Sequence, residues 1–175
     1  MTSRRDTIMD ALLEHLRAEC GRTFLYYSRR FITWERLVQS VQAGKPVIRQ
    51  PALFLFDGVG LGGGTDTFVS KTRASPPLVT LSKTIVIYAQ LPGGGTPNGP
   101  DGLTPGGEVF NPLIEAIEAA MRPDSVSENA LTLGGLVSQV ELIGDSMMMT
   151  GEIDDQQGQG MLTMPVKIMM YPSSQ

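Results

Sequence analysis

The chain has 175 residues, a formal net charge of −4, one cysteine, 20 glycines and 12 prolines. That length fits one domain, 1–175, with a single core burying roughly 70% of the extended surface. The acid excess argues against a general affinity for phosphate backbones, and a lone cysteine excludes an internal disulfide. No run reaches the ~18 apolar residues of a membrane helix. The opening MTSRRDTIMDALLEHL lacks the uncharged apolar run of a signal peptide, so a soluble protein of the cytoplasm is expected.

Ser3 and Asp6 form a capping pair, and Ile8, Leu12 and Leu16, with Met9 and Leu13 beside them, recur at helical spacing. Gly21 follows as a stop. This predicts a helix over 4–19. TFLYYSRRF, 23–31, reads as a strand, and ITWERLVQSV as a short helix ended by Gly44 and Pro46. PALFLF, 51–56, is apolar on both parities, as in a strand buried on both faces.

LVTLSKTIVIYAQL, 78–91, alternates. Val79, Leu81, Ile85, Ile87, Ala89 and Leu91 share one face, and Thr80, Ser82, Thr84 and Gln90 the other, which predicts a half-buried strand. PGGGTPNGPDGLTPGGE, 92–108, is a low-complexity loop insertion. Asn111 and Pro112 then read as N-cap and first position of a second long helix, stopped by Pro123. In LTLGGLVSQVELIG the apolar parity switches at Gly134-Gly135, which predicts a bulge there. MLTMPVKIMMY alternates cleanly. Pro165 cannot donate to a ladder, so this strand is expected at an edge or paired only on its other side. The fold class is therefore α+β: one mostly antiparallel sheet with two main helices packed on it and long glycine-rich loops.

The chemical motifs are thin. Gly58, Gly60 and Gly63 spell G-x-G-x-x-G after a predicted strand, but no helix pattern follows to hold a pyrophosphate. AGKP at 43–46 is not a phosphate loop. His15, the sole histidine, lies about 140° around its helix from Cys20, so the two do not share a face. His15 reads as a helix-surface residue and Cys20 as a small apolar group. GDSMMMTGEIDDQQGQG, 144–160, carries Asp145, Glu152, Asp154 and Asp155 without the spacing of a calcium loop, and has no Cys or His for zinc. No catalytic residue, cofactor or metal ligand is expected. Met147, Met148 and Met149 suit either a core or a packed contact with another subunit.

Seven stretches in order carry a family resemblance. They are RDTIMDALLEHL, SRRFITWERL, QPALFLFDG, LSKTIVIYAQLP, FNPLIEAIEAAM, LTLGGLVSQVELIGD and GQGMLTMPVKIMMYP. Together they resemble the tail terminator proteins of long-tailed bacteriophages, the lambda-type minor tail group. LGGLV, a glycine-rich turn and a P-V-K-I strand are the most distinctive part; the loop at 92–108 departs from the shorter connection expected of that family. The resemblance implies a non-enzymatic virion protein, assembled in the host cytoplasm. It would form a homo-oligomeric ring, six-fold in most such proteins, on the head-proximal end of the tail tube. There it would end tube polymerisation and dock to the head–tail connector. Its partners would be tail tube protein and neck protein. Genomic DNA would pass through without specific binding, and no membrane is involved. Ring contacts are expected from Met147 to Met149, from the strand with Pro165 and Lys167, from the loops at 57–77 and 92–108, and from Arg29 and Arg30 pairing with a neighbour's acids. The competing readings are another neck or head-completion subunit and a small nucleotide-binding enzyme built on Gly58 to Gly63.

Overall fold

A computed structural model describes residues 3–30, 32–44, 48–57, 66–69, 78–91, 106–124, 129–144, 146–150 and 159–171. The glycine motif at 58–63, most of the predicted 92–108 loop, Asp145, Glu152, Asp154 and Asp155 lie outside the described residues.

Helix α1 covers Arg4–Cys20. The Asp6 N–H donates to Ser3 Oγ (3.1 Å), and the Ser3 hydroxyl donates to the Asp6 carboxylate (2.6 Å). Gly21, at φ 53°, closes the other end by donating its N–H to the Arg17 carbonyl. Ile8, Met9, Leu12, Leu13, Leu16 and Cys20 form the buried stripe, and each fully buried aliphatic side chain contributes roughly 1.5–3 kcal/mol. A single 3-10 turn, Gly21–Thr23, leads to strand β1, Tyr26–Ser28. Helix α2, Trp34–Gln42, crosses to β2, Ala52–Phe56, which runs parallel to β1. Strands β3 (Thr67–Val69) and β4 (Leu78–Gln90), helix α3 (Gly106–Ala120), and strands β5 (Gln139–Leu142), β6 (Met147–Thr150) and β7 (Gln159–Met170) complete the order.

The sheet has seven strands on a five-strand path, β1-β2-β4-β7-β5. β2 and β3 share one side of β4, at residues 84–88 and 78–80. β5 and β6 share the far side of β7. All pairings except β1–β2 are antiparallel, so the α+β class and the mostly antiparallel sheet hold.

The two faces carry separate cores. On one, α1 and α3 roof Leu53, Leu55, Leu81, Ile85, Ile87, Leu162, Val166 and Ile168. On the other, Leu37 of α2 packs with Ile48, Ala52, Phe54, Val86, Tyr88 and Met161. The Tyr88 hydroxyl donates to the Ile32 carbonyl (3.0 Å).

Four expectations change. β4 is not half-buried: Thr80 and Thr84 on the polar row are 9% and 0% exposed. A threonine's branched body packs on a pleated surface as an apolar group does. α3 begins at Gly106, not after Asn111, so Pro112 lies inside the helix. Two glycines are poor helix formers and conceal the start, while wholly buried Phe110 anchors that first stretch. A Cβ on Gly160 of β7 would stand 2.6 Å from the Phe110 ring, so the close approach of helix and strand requires glycine there. Gly134-Gly135 is a hairpin turn, not a bulge. Leu133, Gly134 and Gly135 all have positive φ, and Leu131 pairs with Val140 across the turn. Finally, β7 is interior, with β4 along one side and β5 and β6 along the other. Leu142 opposes Val166, yet Met147 opposes Thr163, so two extra residues fall between β5 and β6. Pro165 sits at that offset. Its carbonyl accepts from the Ile143 N–H (3.0 Å), and its missing donor falls where the ladder is already interrupted.

Candidate subunit interface

The two ends of the sheet differ in chemistry. β1 is one end strand, and four strand spacings away, about 19 Å, β5 and β6 form the other. Around β1 the exposed cations are Arg22 in the 3-10 turn, Arg30 just after the strand and Arg49 before β2; of the exposed acids nearby, Asp10 and Asp57 pair with Arg29, and Glu19 stands at the end of α1. Leu25 stands among them at 56% exposure, and its N–H donates to the Pro51 carbonyl (2.8 Å).

At the other end α3 runs beside β5. Helical spacing sets Leu113, Ile117 and Ala120 toward the core and leaves Glu108, Glu115 and Glu118 exposed. A cleft of about 300 Å³ opens between helix and strand, walled by Glu118, Met121, Leu131, Val140, Glu141 and Leu142. Of its two acids Glu141 pairs with Lys167 (3.2 Å), and its apolar side chains are interspersed with Asn129 and Gln139. Asp124 shapes the neighbouring turn: it accepts from the Thr132 N–H (2.7 Å) and hydroxyl (3.0 Å) and from the Gly134 N–H (3.1 Å). Partial burial raises the Asp124 pKa, but these donors outweigh it and leave the carboxyl below its ordinary value. They also hold Leu133 and the two glycines in the left-handed region.

A second charged group lies on the helix-covered face. Arg29 donates to Asp6 (3.0 Å), Asp10 (2.9 Å) and Asp57 (3.0 Å). Lys83, 7% exposed, reaches Asp66 (3.2 Å) and Asp57 (3.6 Å), and Arg5 pairs with Asp66 (2.9 Å). Partial burial opposes the charge on Arg29, but the hydrogen bonds it donates to Asp10, Asp57 and Asp6 outweigh it and raise its pKa. The Ser3 hydroxyl, then Arg29, hold the Asp6 carboxyl below its usual value. The arrangement clamps the start of α1 to the ends of β1 and β2 and to the middle of β4. Its cations are matched by carboxylates, so it acts as a structural brace. The signal was visible in the sequence: Lys83 interrupts the apolar row between Leu81 and Ile85, and Asp57 continues the row of Leu53 and Leu55.

The expected site residues thus separate. Arg29 is engaged within its own chain, while Arg30 is exposed. Met147, Met148 and Met149 lie on β6 opposite Thr163, Leu162 and Met161 of β7. Pro165 lies just beyond their register on β7, and Lys167, further along, faces β5 and pairs with Glu141 (3.2 Å). The arginines and the methionines therefore sit at opposite ends of the sheet. The cleft beside α3 escaped sequence reasoning, because it exists only once α3 lies against β5.

His15 is half-buried, with Nε2 2.7 Å from the Ala120 carbonyl, where its N–H tautomer ties α1 to α3. This corrects its reading as a surface residue. Cys20 is buried, as expected, with Sγ 3.6 Å from the Ala116 carbonyl. Burial, with Glu19 adding to it, pushes its thiol up to about 11, away from the reactive thiolate. Among the described residues, no group of three or more His, Cys, Asp or Glu is arranged to hold a metal ion, and no helix is long and apolar enough to cross a membrane. No protein-family model matches the chain, and no curated protein matches it in sequence.

Proposed function

We propose that this chain is a structural subunit of a bacteriophage virion. It forms a closed ring on the head-proximal end of the tail tube, ends the tube's growth, and offers a docking face to the neck. The observation that carries the reading is the pair of unlike sheet ends. An end bearing exposed Leu25, Arg22 and Arg30 opposes a cleft bearing exposed Glu118 in one sheet. Unlike patches on opposite sides favour head-to-tail contacts, and such contacts close into rings when the rotation per subunit permits. The ordered resemblance of seven stretches to tail terminators supplies the place in the particle. The mechanism asks for shape and charge matching alone. The net charge of −4 limits adhesion to DNA that passes through the ring.

The test is localisation. Gold-labelled antibody against this chain should mark the head–tail junction of intact phage particles, once per particle. Label confined to capsid vertices or the distal tail tip would overturn the assignment. Label at the junction on tailless heads would favour a head-completion or connector subunit instead.

A further inference from the structure

The structure places complementary surfaces at the two sheet ends, and from them we infer the contact that joins one copy to the next. Leu25 of one copy, flanked by Arg22 and Arg30, enters the cleft between α3 and β5 of a second copy, where Glu118 and Glu141 line the mouth. This inference rests on the ring reading and names the contact that reading leaves open.

Three observations carry it. Among the described residues Leu25 and Tyr171 are the large apolar side chains more than half exposed, and Leu25 stands at a sheet end where side-by-side packing would bury it. The cleft supplies half-buried apolar partners in Met121 and Leu142, over a floor of buried Leu131 and Val140. The unpaired charges that would meet are opposite. Arg22 and Arg30 are exposed cations with no ion pair among the described residues, and Glu118 is an exposed acid in the same condition. An apolar centre inside a charged rim is the usual build of a protein contact, with the rim setting register and excluding wrong partners. A second copy is the occupant that the charge pattern favours, since both halves of the match lie on this chain. The contact is head-to-tail, because the β1 end resembles the cleft end in nothing. A two-fold contact would set cation against cation.

Charge reversal on each side tests this. Arg30→Glu and Glu118→Lys replace exposed side chains, and circular dichroism would verify that each variant folds. Self-association of the full chain would be measured by analytical ultracentrifugation at low and high salt. Each single reversal should weaken association by about tenfold or more, since like charges now meet across the rim. The chain carrying both reversals should recover to within about threefold of the original, because the pair is restored with signs exchanged. Adding salt should weaken the original chain's association. If the original chain assembles and both single variants assemble equally well, the contact assigned here is wrong while the ring reading stands. If the double reversal associates no better than the single ones, the pairing of these two surfaces is likewise wrong. If the original chain does not self-associate at any concentration, the ring reading itself falls.

Discussion

The two faces of the sheet solve the same burial problem with different materials. Under α1 and α3 the sheet's own buried row is aliphatic, with Phe24 and Phe110 added from outside it, and Lys83 with its carboxylates interrupts it. On the α2 side the sheet itself supplies buried aromatics, Phe54 and Tyr88, with Tyr26 beside Phe54 at centroid distances of 5.6–5.7 Å, among aliphatic neighbours, and the face grades into Thr80, Thr84 and Thr163, all nearly inaccessible. The comparison teaches that alternating polarity along a strand does not decide exposure. A lysine is buried on the apolar row and threonines are buried on the polar one. The lysine needs charged partners to stay there, whereas the threonines need only shape.

The comparison can be broken first at Phe110. Its ring is wholly buried against Gly160 under α3, so Phe110→Ala should cost about 3–5 kcal/mol in denaturant unfolding. An effect under 1 kcal/mol would mean that α3 does not anchor there. Lys83→Ala should cost about 2 kcal/mol, below the full price of an orphaned buried charge, because Asp66 keeps Arg5 and Asp57 keeps Arg29. Lys83→Met, which retains the apolar stem, should recover roughly half of that.

On the opposite face Tyr88→Phe should cost about 1 kcal/mol, the net worth of the hydrogen bond to Ile32. Burial pushes the Tyr88 phenol well above its ordinary value, so its ionisation in an ultraviolet titration should be delayed until the chain unfolds in alkali.

A smaller effect distinguishes the faces by pH. The folded Asp6 pKa lies below the model-peptide value of 3.8, so its contribution is present above that pH and is lost as pH falls through the folded value. Asp6→Asn should therefore lower the melting temperature at pH 7, and the gap should narrow and close as pH falls below 3.8 and through the folded value. A gap that persists in acid would assign Asp6 a packing role instead. The smallest change is expected at Thr84, whose buried Oγ1 has no hydrogen-bond partner among the described residues. Thr84→Val should be neutral or slightly stabilising, within about 1 kcal/mol, since it removes an unsatisfied hydroxyl and keeps the shape. A clear loss would reveal a partner for that hydroxyl.

Local signals decided a good deal of this molecule. The Ser3 cap, the Ile8–Leu16 stripe, Gly21 and the odd row of β4 each carry their own stereochemical reason, and each reappears in the fold. The α+β class follows from their order. Other features depend on distant neighbours. Pro165 read as an edge marker because a missing N–H argues locally. Whether that donor is missed depends on the strand alongside, and the offset between β5 and β6 falls at that point. The start of α3 was hidden behind Gly106 and Gly107, since propensity is local and the burial of Phe110 is not. Arg29 looked available to a neighbour until three aspartates from α1 and the end of β2 closed on it. The sequence by itself determined which segments coil, which extend and which side of each is apolar, because these are properties of residues a few bonds apart. Only the tertiary structure decided which charges are satisfied and which strand lies inside the sheet, because those are properties of groups far apart in the chain and close in space.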